Sequence, residues 1–138
     1  MGVFATKKYQ RMAELLQRVE AQAEKGGGEV LTRSRDDLVL AAREGGIDLE
    51  ALRLLDRATV VELVAGGASP DAGRAWAAAE VLFLDGLMAY RQGDGAGGRQ
   101  LLEKAAALYR RTPADLALPP LSAPPADRLD RIDALLGT

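Results

Sequence analysis

Apolar residues recur at steps of three and four through most of this chain, and clusters of glycine separate one such segment from the next. A period near 3.6 places those residues on one side of a helix, so the pattern constrains the chain to a series of amphipathic helices joined by short turns. Tyr9, Met12, Leu16, Val19 and Ala23 predict a first helix over Ala5–Lys25, ended by Gly26-Gly27-Gly28. A short second helix is expected after a Ser34 cap. There Asp36 and Asp37 suit the positive end of the dipole, and Leu38, Val39 and Ala42 supply the apolar face. Residues 26–33 are then irregular, and Gly45-Gly46 stops the helix. Asp48 caps a third helix through Leu49, Leu52, Leu55 and Leu63. Leu54, Val60, Val61 and Val64 widen its stripe over much of the circumference, which predicts a central position.

Gly66-Gly67 closes that helix, and Ser69-Pro70-Asp71 offers cap, first-turn proline and dipole-matched acid for a fourth helix reaching about Gln92. On it Trp76, Phe83, Leu87 and Tyr90 share a face, while Ala75, Ala77, Ala78 and Ala79 are small enough to admit a close neighbour. After a turn at Gly93–Gly98, Leu101, Leu102, Ala105 and Leu108 carry a fifth helix to about Arg111, so helices four and five form an antiparallel hairpin. Proline-rich residues 112–125 make an extended strap that buries Leu116, Leu118 and Leu121. Residues 126–136 form a short helix with Leu129, Ile132, Leu135 and Leu136 apolar. Too short to stand alone, it has to dock on the body. The 138 residues, 48% hydrophobic and 4% aromatic, suit one all-α domain over 1–138, an array or bundle of five to six helices packed by Leu, Ala and Val.

Cysteine and histidine are both absent, which removes disulfides, thiolate nucleophiles, imidazole bases and the usual zinc sites. The formal charge of −2 spreads over both signs, which disfavours general binding to nucleic acid. No apolar run reaches the roughly 18 residues of a membrane span, and the start lacks the apolar block of a signal peptide, so a cytoplasmic protein is expected. Met1-Gly2-Val3-Phe4-Ala5-Thr6 fits the loose myristoylation pattern. Arg-, Ala- and Gly-rich usage nevertheless points to a GC-rich bacterial genome, where that modification is not expected.

Gly93-Asp94-Gly95-Ala96-Gly97-Gly98 has the G-x-G-x-x-G spacing of a dinucleotide cradle. That cradle needs a strand to deliver its glycines, and here a long helical stripe precedes them, so the segment reads as an interhelical turn and no cofactor is expected. Asp85 interrupts the apolar run from Val81 to Met88, where an acid is costly unless paired or exposed, and Glu80 lies five residues before it. It is read first as the partner of an arginine on a neighbouring helix, and second as a carboxylate for acid–base work. Asp127, Asp130 and Asp133 share a helical face, but Arg128 and Arg131 interleave with them, and no metal is expected. Arg99, Lys104, Arg110 and Arg111 are read as a solvated basic face on the fifth helix.

Ala79 to Pro113 resembles one tetratricopeptide repeat (TPR), a helix–turn–helix unit with small and bulky residues at fixed offsets. Gly86 falls on the first-helix glycine, Leu82 on its aromatic or leucine position and Gly93-Asp94 on the turn. Gly98 falls on the first small site of the second helix, Leu102 on the bulky site and Ala105 on the next small one. Asp85 stands at the usual leucine, and Ala89 at the usual tyrosine with Tyr90 one residue off. The resemblance implies a scaffold whose concave face holds a peptide or protein. With the missing catalytic side-chain types, it leads to a non-catalytic protein–protein interaction or adaptor domain. The alternative is a regulatory or sensor domain holding a small molecule between helices, lined by Trp76, Phe83 and Asp85. An enzyme working through Asp85 and Glu80 comes third. Phe4, Tyr9, Trp76 and Tyr90 are the expected contacts for a partner or for a second copy of the chain, against the competing reading that they fill the monomer's own core.

Overall fold

A computed structural model describes residues 9–66, 72–119 and 122–137. These form seven helices and no strand. They are α1 (Gln10–Lys25), α2 (Gly28–Glu44), α3 (Leu49–Leu54), α4 (Arg57–Ala65), α5 (Ala72–Arg91), α6 (Gly95–Tyr109) and α7 (Pro125–Leu136). The all-α class holds, and the count exceeds the expected five to six because one anticipated helix is two.

α1 buries Met12, Ala13, Leu16, Val19 and Ala23, the predicted stripe. Gly26 closes it in extended conformation, donating its N–H to Gln22 O. α2 begins at once, six residues before the expected Ser34 cap. Ser34 is instead interior to the helix and fully buried, its Oγ hydrogen-bonded to Gln22 Oε1 of α1. Leu31, Ser34, Leu38 and Ala41 make one continuous stripe, so the expected irregular stretch at 26–33 shrinks to the two glycines between the helices. α1 and α2 run antiparallel, since Gly45 at the end of α2 lies against Tyr9 and Met12 at the start of α1. Gly46 ends α2 at φ +73°, with its N–H on Arg43 O and that of Ile47 on Ala42 O, the paired bonds of a glycine-closed helix end.

The helix expected from Asp48 to Gly66 is broken at Leu55, which is extended (ψ 149°). Asp48 caps α3 through Ala51 N, and Asp56 caps α4 through Thr59 N at 2.7 Å. The freed carbonyls at the end of α3 are taken up from outside, Lys104 Nζ donating to Leu52 O at 3.0 Å and Arg53 O at 3.2 Å. The break also corrects the expected central position, leaving Leu54 89% and Leu63 55% exposed.

The centre belongs to α5, where every residue from 75 to 89 is buried. α6 folds back along it: Gly93 (φ +91°) closes α5 and Asp94 caps α6 through Gly97 N, so the G-x-G-x-x-G segment is one turn serving two helix ends. Gly98 makes the close approach, since a Cβ there would stand 2.7 Å from the Tyr90 ring and 3.0 Å from Gly86 O. Beyond α6 the strap makes two turn hydrogen bonds, Leu116 N to Pro113 O and Ser122 N to Pro119 O, and rests Leu116 and Leu118 half-buried on the core. Leu121 lies outside the described residues. α7 packs on α6, with Arg99 donating to Leu136 O at its far end.

Candidate functional site

Two buried ion clusters dominate the interior, and both are built on α5. Asp85, wholly buried, accepts on Oδ1 from Arg35 Nε (2.8 Å, α2) and on Oδ2 from Arg53 Nε (2.8 Å, α3). Arg53 also reaches Oδ1 at 3.0 Å, making a two-pronged pair. Arg35 donates further to Gln92 Oε1, and Gln92 in turn donates to Thr32. Hydrogen bonding to Asp85 holds the Arg53 pKa above its ordinary value against the cost of burial. The side chains of Arg35 and Arg53 keep 26% and 30% of their surface in water, so the charge excess of this cluster faces outward.

The second cluster inverts that stoichiometry. Arg128 of α7 inserts between two carboxylates, Glu80 of α5 (3.1 and 3.3 Å) and Glu20 of α1 (3.0 and 3.2 Å). Its guanidinium carbon stands 4.5 Å from the centre of the Phe83 ring, a favourable placement of a cation on a π face. Tyr109 of α6 donates its hydroxyl to Glu80 Oε2. Burial pushes the Glu80 carboxyl upward, opposed by the charge of Arg128 and the hydrogen bonds of Tyr109 and Arg128. Burial and the neighbouring Glu80 push the Tyr109 hydroxyl well above the usual tyrosine range. Burial works against the charge on Arg128, yet Glu20 and Glu80 hold its pKa above the ordinary arginine value. Every oxygen of Asp85 and Glu80 is thus engaged by a protein donor, the geometry of structural pairing and not of a carboxylate held ready for a substrate proton.

The aromatic candidates do not form a surface. Tyr9 and Trp76 are completely buried and meet edge to face, ring centres 6.4 Å apart. Phe83 is also completely buried, while Tyr90 is half-buried against Gly98. Three of the expected partner or ligand contacts, Tyr9, Trp76 and Phe83, are therefore core residues, because a chain with so few aromatics uses its largest side chains to fill its centre. Phe4 lies outside the described residues. The space beside Trp76, touched by Leu16, Glu20 and Leu84 and not by Asp85, is about 20 Å³, roughly one water. Trp76 Nε1 is buried with no hydrogen-bond partner among the described residues. Lys104, expected on a solvated face, is 5% exposed, and burial lowers its pKa against the pull of Asp56 and Asp85. Asp127, Asp130 and Asp133 are exposed, and no group of three or more acidic side chains is placed to hold a metal among the described residues. No described helix is long and apolar enough to cross a membrane.

The sequence reading missed Arg35, Arg53, Glu20, Tyr109 and Arg128. A local signal existed for two of them. Arg128 stands four residues before Ile132, on the apolar side of α7, and Tyr109 extends the stripe Leu102, Ala105, Ala106 of α6. The arginines on Asp85 are 50 and 32 residues away along the chain, beyond any local pattern.

A concavity with a cationic wall lies between the α3–α4 elbow and α6. It encloses about 470 Å³, with Leu54 and Leu55 on its rim and Arg53, Arg57 and Lys104 set against Asp56 and Glu103. Compared with known proteins, the chain matches no family model, no curated protein and no solved structure.

Proposed function

We propose that this chain is a non-catalytic protein-interaction domain with a TPR-like hairpin, and that the cleft between the α3–α4 elbow and α6 is where a peptide segment docks. The observation that carries the reading is Leu54. It stands 89% exposed at the mouth of a cleft whose wall bears Arg53, Arg57 and the recessed Lys104. An apolar anchor beside cationic groups suits a segment that pairs a hydrophobic residue with a carboxylate. The hairpin resemblance draws support from the mutual approach of Gly86 and Gly98, with Leu102 filling the space above Gly86. Asp85 and Glu80, the carboxylates an enzyme would use, are committed to arginines.

Selection of phage-displayed peptides on the full chain tests the reading. Enriched sequences should combine an apolar residue with an acidic neighbour, and Leu54→Glu should weaken their binding at least tenfold while thermal stability stays unchanged. Absence of enrichment, or equal binding by Leu54→Glu, would refute it.

A further inference from the structure

On a different face of the molecule, apart from the cleft, lies the C-terminal helix. α7 is attached in an unusual way. Arg128 and Ile132 are its buried residues among those described, Leu129 and Leu136 rest half-buried on the core, and Leu135 is already 36% exposed. What the body offers α7 is a charged socket: Glu20, Glu80, the Tyr109 hydroxyl and the face of Phe83, all arranged around one guanidinium. Among the described residues of 110–124, the strap leading to α7 holds no helix and makes two internal turn bonds. Drawn out at ~3.1 Å per residue it reaches about 45 Å. That exceeds the width, on the order of 35–40 Å, of a domain this size.

We propose that α7 is an exchangeable arginine plug, and that two copies of this chain trade their C-terminal helices, each inserting Arg128 into the Glu20–Glu80–Phe83 socket of the other. The occupant is fixed by complementarity already visible within one chain, since a second copy's α7 recreates every contact that its own α7 makes. Exchange therefore sacrifices no interaction in the socket, and the balance between closed monomer and exchanged dimer depends on concentration and on the strap. A released α7 is driven to re-dock, because twelve residues do not hold a helix in water and an empty socket leaves Glu80 buried without its counter-charge.

Light scattering on the full chain, refolded at high concentration and then diluted, should show a fraction at twice the monomer mass. Deleting residues 113–118 should convert nearly all of it to dimer, since the plug then falls short of its own socket but still reaches a neighbour's. Adding Arg128→Glu to the shortened chain should return it to monomer. The full-length variants Arg128→Glu and Glu20→Arg should each be monomeric alone and form a one-to-one dimer when mixed, because the second supplies an intact plug to the intact socket of the first. A shortened chain that stays monomeric overturns the proposal. So does a dimer that survives Arg128→Glu, whose interface must lie elsewhere. Circular dichroism on each variant separates loss of the plug from loss of the fold.

Discussion

The two buried clusters use the same chemistry in opposite proportions. At Asp85 one carboxylate is shared by two guanidiniums, each with a quarter or more of its side chain in water. At Arg128 one guanidinium is shared by two carboxylates, and Glu80 has only 7% of its side chain exposed. The difference lies in what remains when the shared group is removed. Without Asp85, two arginines at the edge of the body turn toward solvent. Without Arg128, a carboxylate is left in the core beside a tyrosine hydroxyl. The first cluster ties together helices that the core already holds, while the second fastens the C-terminal helix, which also rests Leu129, Ile132 and Leu136 on the core.

Arg128→Ala is thus expected to give the largest effect, about 3–5 kcal/mol, the usual cost of leaving one member of a buried pair behind. Urea denaturation measures it, and a loss below that of Asp85→Ala would reverse the comparison. Asp85→Ala should cost about 1.5–3 kcal/mol, the range for hydrogen bonds to charged groups, since the abandoned arginines reach water.

The third expectation concerns pH. The Tyr109 hydroxyl ionises above its ordinary value of 10.0 in the folded protein and near it in the unfolded chain. Above pH 10 the folded state therefore holds the proton that the unfolded state has lost. Stability falls as pH rises, by up to about 1.4 kcal/mol per unit. Comparing wild type with Tyr109→Phe isolates this slope, because the opposite contribution of Lys104, whose pKa is lowered, is common to both. Equal slopes in the two proteins would show that Tyr109 is not held as described. The smallest effect belongs to Arg131, 39% exposed, 3.9 Å from Glu20 and 5.5 Å from the Phe83 ring. Arg131→Ala should cost about 0.2–1 kcal/mol, and a value near that of Arg128 would mean that the plug has two prongs.

Where the sequence reading succeeded and failed follows from the range of the interactions. α1 was legible because Met12, Leu16, Val19 and Ala23 are spaced by the helix itself, and the Gly93-Asp94 turn because a left-handed closing residue and a capping acid are adjacent. Asp56 caps α4, but the apolar stripe running through that segment reads as one unbroken helix. What broke the helix there included Lys104, which takes two carbonyls of α3 from about 50 residues away. Ser34 looked like a cap because serine favours helix ends. It is interior because Gln22 of the antiparallel α1 satisfies its hydroxyl.

By itself the sequence determined that this chain is a set of helices punctuated by glycine, since helical period, capping and glycine conformation act within one or two turns of chain. The tertiary structure decided that α5 and not the Leu-rich α3–α4 segment forms the centre, that the aromatics fill the core, and which arginine meets which acid. Those outcomes depend on competition for burial among segments far apart in sequence. A buried charge settles only where every partner arrives together, and no local pattern records that condition.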